Sequence, residues 1–195
     1  MRINLVGAAV VVCALPAAAL ASDVIISNLN TGTGPGTAFG GGFTTQFKAA
    51  GFTAADAYFL DGVTIDVTAA DIGGTADVEI WTGNGSPGSF LAQLSGDAFD
   101  AASGQFTFTA DAPLVLEQGE TYWIYVNNAA QDPAFTWVSS DVNPSGSGAA
   151  FVGYNFNGSP SSFMNMFEVT GTLVPAPGVA TIGLVGVLAA GRRRR

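Results

Sequence analysis

The chain has 195 residues, room for one ordinary domain, and no histidine, which excludes Ser-His-Asp and Cys-His catalysis and histidine-ligated zinc. Charged residues make up only 11 % while aromatic residues make up another 11 %, a balance that argues against disorder. All fifteen acids lie from Asp23 to Glu168 and face one lysine, Lys48, so the central body carries about −14; with no basic patch to displace counterions from phosphates, a nucleic-acid partner is excluded.

The first predicted element is an export signal over residues 1–21. Arg2 supplies the positive start, residues 5–20 are apolar, and Ala19-Leu20-Ala21 before Ser22 is an A-x-A cleavage site. The export translocase is the partner this implies. Cys13 falls inside the signal and follows Val12, where a lipoprotein signal needs a small residue. Its removal leaves a mature chain with no thiol, hence no cysteine nucleophile or cysteine metal site.

Residues 22–173 form the expected functional domain. A strand is predicted at 23–29, a glycine-rich loop at 30–42 and a second strand near 44–52. In 60–68, Val63, Ile65 and Val67 face one way while Thr64, Asp66 and Thr68 face the other. In 76–82, Val78 and Ile80 alternate with Asp77, Glu79 and Trp81, and 83–88 is a turn by composition. Residues 90–94 give a short strand or a turn of helix. Residues 105–109 place Phe106 and Phe108 on one face. The run 121–127 is apolar on both faces and predicts a central strand. Strands at 134–139, 150–156 and 163–173 follow, with a turn at Asn157-Gly158. About nine short strands with turns between them predict an all-β antiparallel sandwich, jelly-roll-like, with no internal repeat.

The last element, residues 174–195, has three parts. Pro175 and Pro177 stop the preceding strand, since neither offers an N–H to a ladder. Residues 179–190 are predicted as a short hydrophobic helix, only about 18 Å long against a bilayer core of about 30 Å. Arg192, Arg193, Arg194 and Arg195 then form a cluster expected to stay cytoplasmic.

This order of motif, apolar helix and arginine cluster resembles the PEP-CTERM sorting signal of Gram-negative bacteria. Val174, Pro175 and Pro177 match its motif, Ala176 stands where glutamate is usual, and Gly178 follows. The Val-Pro-Ala-Pro-Gly form looks like the variant of planctomycete-type genomes. The resemblance implies an exosortase-like sorting enzyme as partner, transient anchoring in the inner membrane, and delivery to the cell surface or extracellular matrix. The body, through Val63-Thr64-Ile65, Val78-Glu79-Ile80-Trp81, Ser86-Pro87-Gly88, Phe106-Thr107-Phe108 and Thr121-Tyr122-Trp123, looks like the R-type member of the choice-of-anchor surface domains.

Catalytic chemistry is sparse. Ser–Lys catalysis would have to use Lys48, which is expected to be a solvated surface residue. Asp61 with Asp66, Asp77 with Glu79, and Glu117 with Glu120 are the carboxylate pairs a glycosidase would need, and Asp77 and Glu79 equally fit a solvated strand face. The glycine-rich 32–42 region lacks the lysine of a phosphate loop. No cofactor is expected. Calcium stays open as a bound ion without named ligands, because no Asp-x-Asp-x-Asp-Gly loop is present. Trp81, Trp137, Tyr154 and Phe156 are the residues that could stack on a sugar, with core filling as their alternative. Three functions follow: a non-catalytic, exported surface or matrix protein, which is the expectation; a carbohydrate-binding module for extracellular polysaccharide; and a carboxylate-based hydrolase.

Overall fold

The structure, a computed structural model, describes residues 21–32, 34–42, 46–127 and 134–175. The export signal up to position 20, the predicted helix at 179–190 and the arginine cluster lie outside the described residues.

The described residues form thirteen strands and no helix. In chain order they are β1 (Asp23–Ser27), β2 (Gly34–Phe39), β3 (Phe47–Ala54), β4 (Tyr58–Thr68), β5 (Asp77–Thr82), β6 (Ser89–Gly96) and β7 (Ser103–Ala110). Then come β8 (Val115–Leu116), β9 (Thr121–Asn127), β10 (Phe135–Ser139), β11 (Ala149–Phe156), β12 (Ser159–Ser161) and β13 (Phe167–Leu173). They make one antiparallel sheet in the order β1-β13-β4-β7-β6-β5-β9-β3-β11-β12, with β10 bridging β2 to β4 and β8 added to β4. The sheet curls. Ser27 and Ser145 exchange two backbone hydrogen bonds of 2.9 Å, and the Gly148 amide donates to the Ile25 carbonyl at 3.2 Å. These bonds bring β1, at one end of the strand order, against the entry to β11, near the other end.

Alternation explains which face is inside. Val63, Ile65 and Val67 are fully buried while Thr64 and Asp66 are only partly so, as the period-two pattern requires. Val78 and Ile80 are likewise buried and Asp77, Glu79 and Trp81 are not. Strand β9 lies between β5 and β3 and buries Tyr122, Trp123, Ile124 and Val126, which makes it the central strand that 121–127 predicts. Within the core, Phe39 stacks on Phe135 with centroids 4.8 Å apart, and Phe99 meets Phe135 edge-on at 5.6 Å. Each such buried side chain contributes roughly 1.5–3 kcal/mol by leaving water.

The fold corrects the glycine-rich stretch. Residues 30–42 are not all loop, because β2 runs through them and pairs with β10, Thr37 opposite Trp137. The glycines are there for space. A Cβ on Gly36 would lie 2.0 Å from the Trp137 carbonyl oxygen. Pro35 is tolerated because β2 has only one neighbour. The stretch 90–94, undecided between strand and helix, belongs to the eight-residue β6. The Asn157-Gly158 turn joins β11 to β12, both residues taking positive φ of 49° and 86°.

Candidate functional site

A strip of aromatic rings crosses four neighbouring strands on the face opposite the core. Period two puts Glu79 and Trp81 outward on β5, with Tyr125 and Trp123 as their register partners on β9. Trp81 stacks on Tyr125 at 4.7 Å, and Tyr125 stacks on Phe47 of β3 at 4.5 Å. Phe90 of β6 meets Trp81 edge-on at 6.1 Å. The order Phe90, Trp81, Tyr125, Phe47 thus follows the strand order β6, β5, β9, β3. Trp123 lies flatter. It covers Gly51 of β3, where any Cβ would come within 2.8 Å of the indole.

Glu79 fixes the strip. One carboxylate oxygen accepts from the Trp81 indole N–H at 2.6 Å, and the other accepts from the Asn127 amide at 3.2 Å. Gln93 donates to the Val78 carbonyl at 3.0 Å. Together Asp77, Glu79, Gln93 and Asn127 line a groove of about 350 Å³ walled by Trp81 and Tyr125. Burial, and then the charge of Glu79, hold the Tyr125 phenol above its ordinary range, so it stays a hydrogen-bond donor. Both faces of Tyr125 are taken by its neighbours, whereas Trp81 and Phe47 each present only one face to it. The groove therefore offers ring surface beside several acceptors and amides. That is the equipment for a polyhydroxylated ligand, with hydroxyls hydrogen-bonded and C–H surface on the rings.

The other expected residues lie elsewhere. Trp137 is fully buried on β10, and its indole N–H donates to the Met166 carbonyl at 2.6 Å. Tyr154 is 5 % exposed and donates to the Asn165 carbonyl at 2.9 Å; burial raises its pKa well above the ordinary value. Neither can present a ring to a sugar, so of the four expected stacking residues Trp81 and Phe156 remain on accessible faces. Phe156 is more than a third exposed but sits near Lys48, away from the strip. Asp77 and Glu79 share the groove. Asp61 accepts from the Thr172 hydroxyl at 2.8 Å, and burial raises the Asp66 carboxyl, partly offset by a hydrogen bond with Gln105. Glu117 and Glu120 close the tight turn before β9. Among the described residues no three acidic groups come together as a metal site.

Lys48 corrects the expectation of a solvated side chain. It is 1 % exposed, and its ammonium donates to the Ser161 hydroxyl and to the Phe163 carbonyl, both at 2.6 Å. The cause is its place on β3 between β9 and β11, with the rings of Tyr154, Phe156 and Phe163 packed within 6 Å of Nζ. Desolvation lowers its pKa from 10.5 to about 8.

At the termini, Ala21 and Ser22 are exposed just before β1, while Ala19 is outside the described residues. Val174 is tied by its N–H to the Ala57 carbonyl at 2.9 Å, directly after β13, and Pro175 is exposed. Pro177, Gly178 and Arg192 to Arg195 are outside the described residues. Tyr125, Phe47, Gln93 and Asn127 escape a reading of the sequence because only strand register brings them to Trp81. Comparison with known proteins finds no matching family model and no similar curated protein.

Proposed function

We propose that this chain is a non-catalytic exported protein of the cell surface or extracellular matrix, sorted through its C-terminal signal by an exosortase-type enzyme. The body is read as a jelly-roll-like display domain of the choice-of-anchor kind. One observation carries the sorting reading. The last strand is stitched to the domain through Val174, and the proline motif, apolar stretch and arginines begin at that residue. Intact-mass spectrometry of the exported protein is expected to show residues 1–21 missing and the apolar stretch with its arginines removed. A mature mass that still includes residues 179–195 overturns the sorting reading.

A second reading, attachment to extracellular polysaccharide, is favoured by the groove beside Trp81. Both Glu79 oxygens are committed to holding Trp81 and Asn127, which suits a positioning carboxylate better than a proton donor. The acidic body repels acidic polymers, so the ligand is an uncharged glycan. Trp81→Ala and Glu79→Gln are each expected to weaken binding to a neutral polysaccharide about tenfold or more, the loss of about 1.4 kcal/mol. Co-sedimentation with insoluble glycans reads this directly. Wild-type protein that binds no neutral glycan, or variants that bind unchanged, would remove the reading.

A further inference from the structure

We infer that the pocket at Lys48 binds a small monocarboxylate with an apolar body, the carboxylate seated between the Lys48 ammonium and the Ser161 hydroxyl. Lys48 is the only lysine of the chain, and it lies on the core side of β3 opposite Phe156. A buried charge is ordinarily paired with its opposite, because desolvation otherwise goes uncompensated. Among the described residues it is not so paired. Its partners are a hydroxyl, a carbonyl and three rings, and burial alone perturbs it, with no carboxylate contributing.

Counting donors shows what is left over. An ammonium has three N–H bonds, and two are spent on Ser161 and Phe163. A hydroxyl has two acceptor positions and one proton. The Ser161 oxygen accepts from Lys48 at 2.6 Å and from the Phe163 N–H at 3.2 Å, so its own proton remains to be donated. One unspent N–H and one unspent O–H, on atoms 2.6 Å apart, match the two oxygens of a carboxylate. The adjoining pocket, of about 350 Å³, is walled by Gly36, Thr37, Ala38, Gln46, Phe156 and Phe163. Phe156 and Phe163 are each about two-fifths exposed at its mouth, an apolar lining for the rest of the ligand. The surrounding negative charge selects against polyanions and leaves a singly charged acid as the fit.

Calorimetric titration of the full chain with octanoate, octanol and octylamine tests this. Octanoate is expected to bind one per chain, at least tenfold more tightly than octanol or octylamine. Lys48→Met should weaken octanoate at least tenfold, and Ser161→Ala should weaken it several-fold. Octanoate affinity should also fall as pH rises through about 8, where Lys48 loses its proton. Tyr154 is the other titratable group facing Nζ, and burial keeps its phenol protonated across that range. Equal binding of octanol, unchanged binding by Lys48→Met, or absence of octanoate binding overturns the inference. If Lys48→Met fails to fold, the wild-type pH profile decides, and an affinity constant from about pH 6 to about pH 9.5 is the contrary result.

Discussion

Trp137→Ala is expected to destabilise the domain by about 4 kcal/mol or more, while Trp81→Ala costs about 1–2 kcal/mol. The two tryptophans look alike in the sequence, each within a predicted strand and each a candidate for stacking on a sugar. Their surroundings differ. Trp137 is fully buried on β10, between β2 and β4, and removing its indole leaves a cavity that the paired strands cannot close. The substitution also orphans the Met166 carbonyl, which accepts from the indole at 2.6 Å; an unsatisfied buried acceptor costs a further ~1–3 kcal/mol. Trp81 loses a stacked and an edge-on ring contact, each worth roughly 0.5–1.5 kcal/mol, on a face where water can replace it. Urea unfolding followed by far-ultraviolet circular dichroism measures both. A Trp137→Ala domain within about 1 kcal/mol of wild type would contradict a core role, since total stability is typically ~5–15 kcal/mol.

The pair also shows what the sequence makes legible. Strict alternation marks a strand with one wet face, so β4 and β5 and the inward direction of Val63, Ile65, Val67, Val78 and Ile80 follow from pattern alone. Strand β9 is legible for the opposite reason, being apolar on both sides. Strand β2 is hidden because its glycines and Pro35 carry turn chemistry, while its pairing is dictated by space against Trp137. The aromatic strip is hidden in another way. Phe47, the Trp81 and Phe90 pair of the β5–β6 hairpin, and Tyr125 are far apart in the chain, and their meeting depends on which strands are neighbours. Lys48 misleads most. A single charged residue reads as solvated, and only the packing of β11 and the 161–163 segment over β3 buries it.

Asn28→Asp tests the polar joint of the core, with an expected penalty that depends on pH. Asn28 is 2 % exposed just after β1. Its side-chain oxygen accepts from the Phe167 N–H at 2.8 Å. Its amide group faces three oxygens: the Asn165 carbonyl at 3.1 Å, the Val142 carbonyl at 3.2 Å and the Tyr154 hydroxyl at 3.3 Å. Asn165 continues the network, donating to the Trp137 carbonyl at 2.7 Å and accepting from Thr37 at 3.3 Å. The joint therefore ties β1, β2, β10, β11 and β13 together. An aspartate keeps the acceptor but turns a second oxygen toward three others. Burial and those oxygens disfavour its charged form, so its folded pKa rises above the unfolded value of about 3.9. A raised carboxyl pKa contributes stability below the unfolded value that is lost as pH climbs toward the folded one. Measured against wild type at each pH, the Asn28→Asp deficit should grow from about pH 4 to about pH 7, reaching roughly 3–5 kcal/mol. Asn28→Ala leaves the Phe167 N–H without its partner and should cost about 3 kcal/mol at every pH in that range. An aspartate deficit that stays level with pH would mean that the carboxyl reaches water, and that the joint is looser than the hydrogen bonds around Asn28 require.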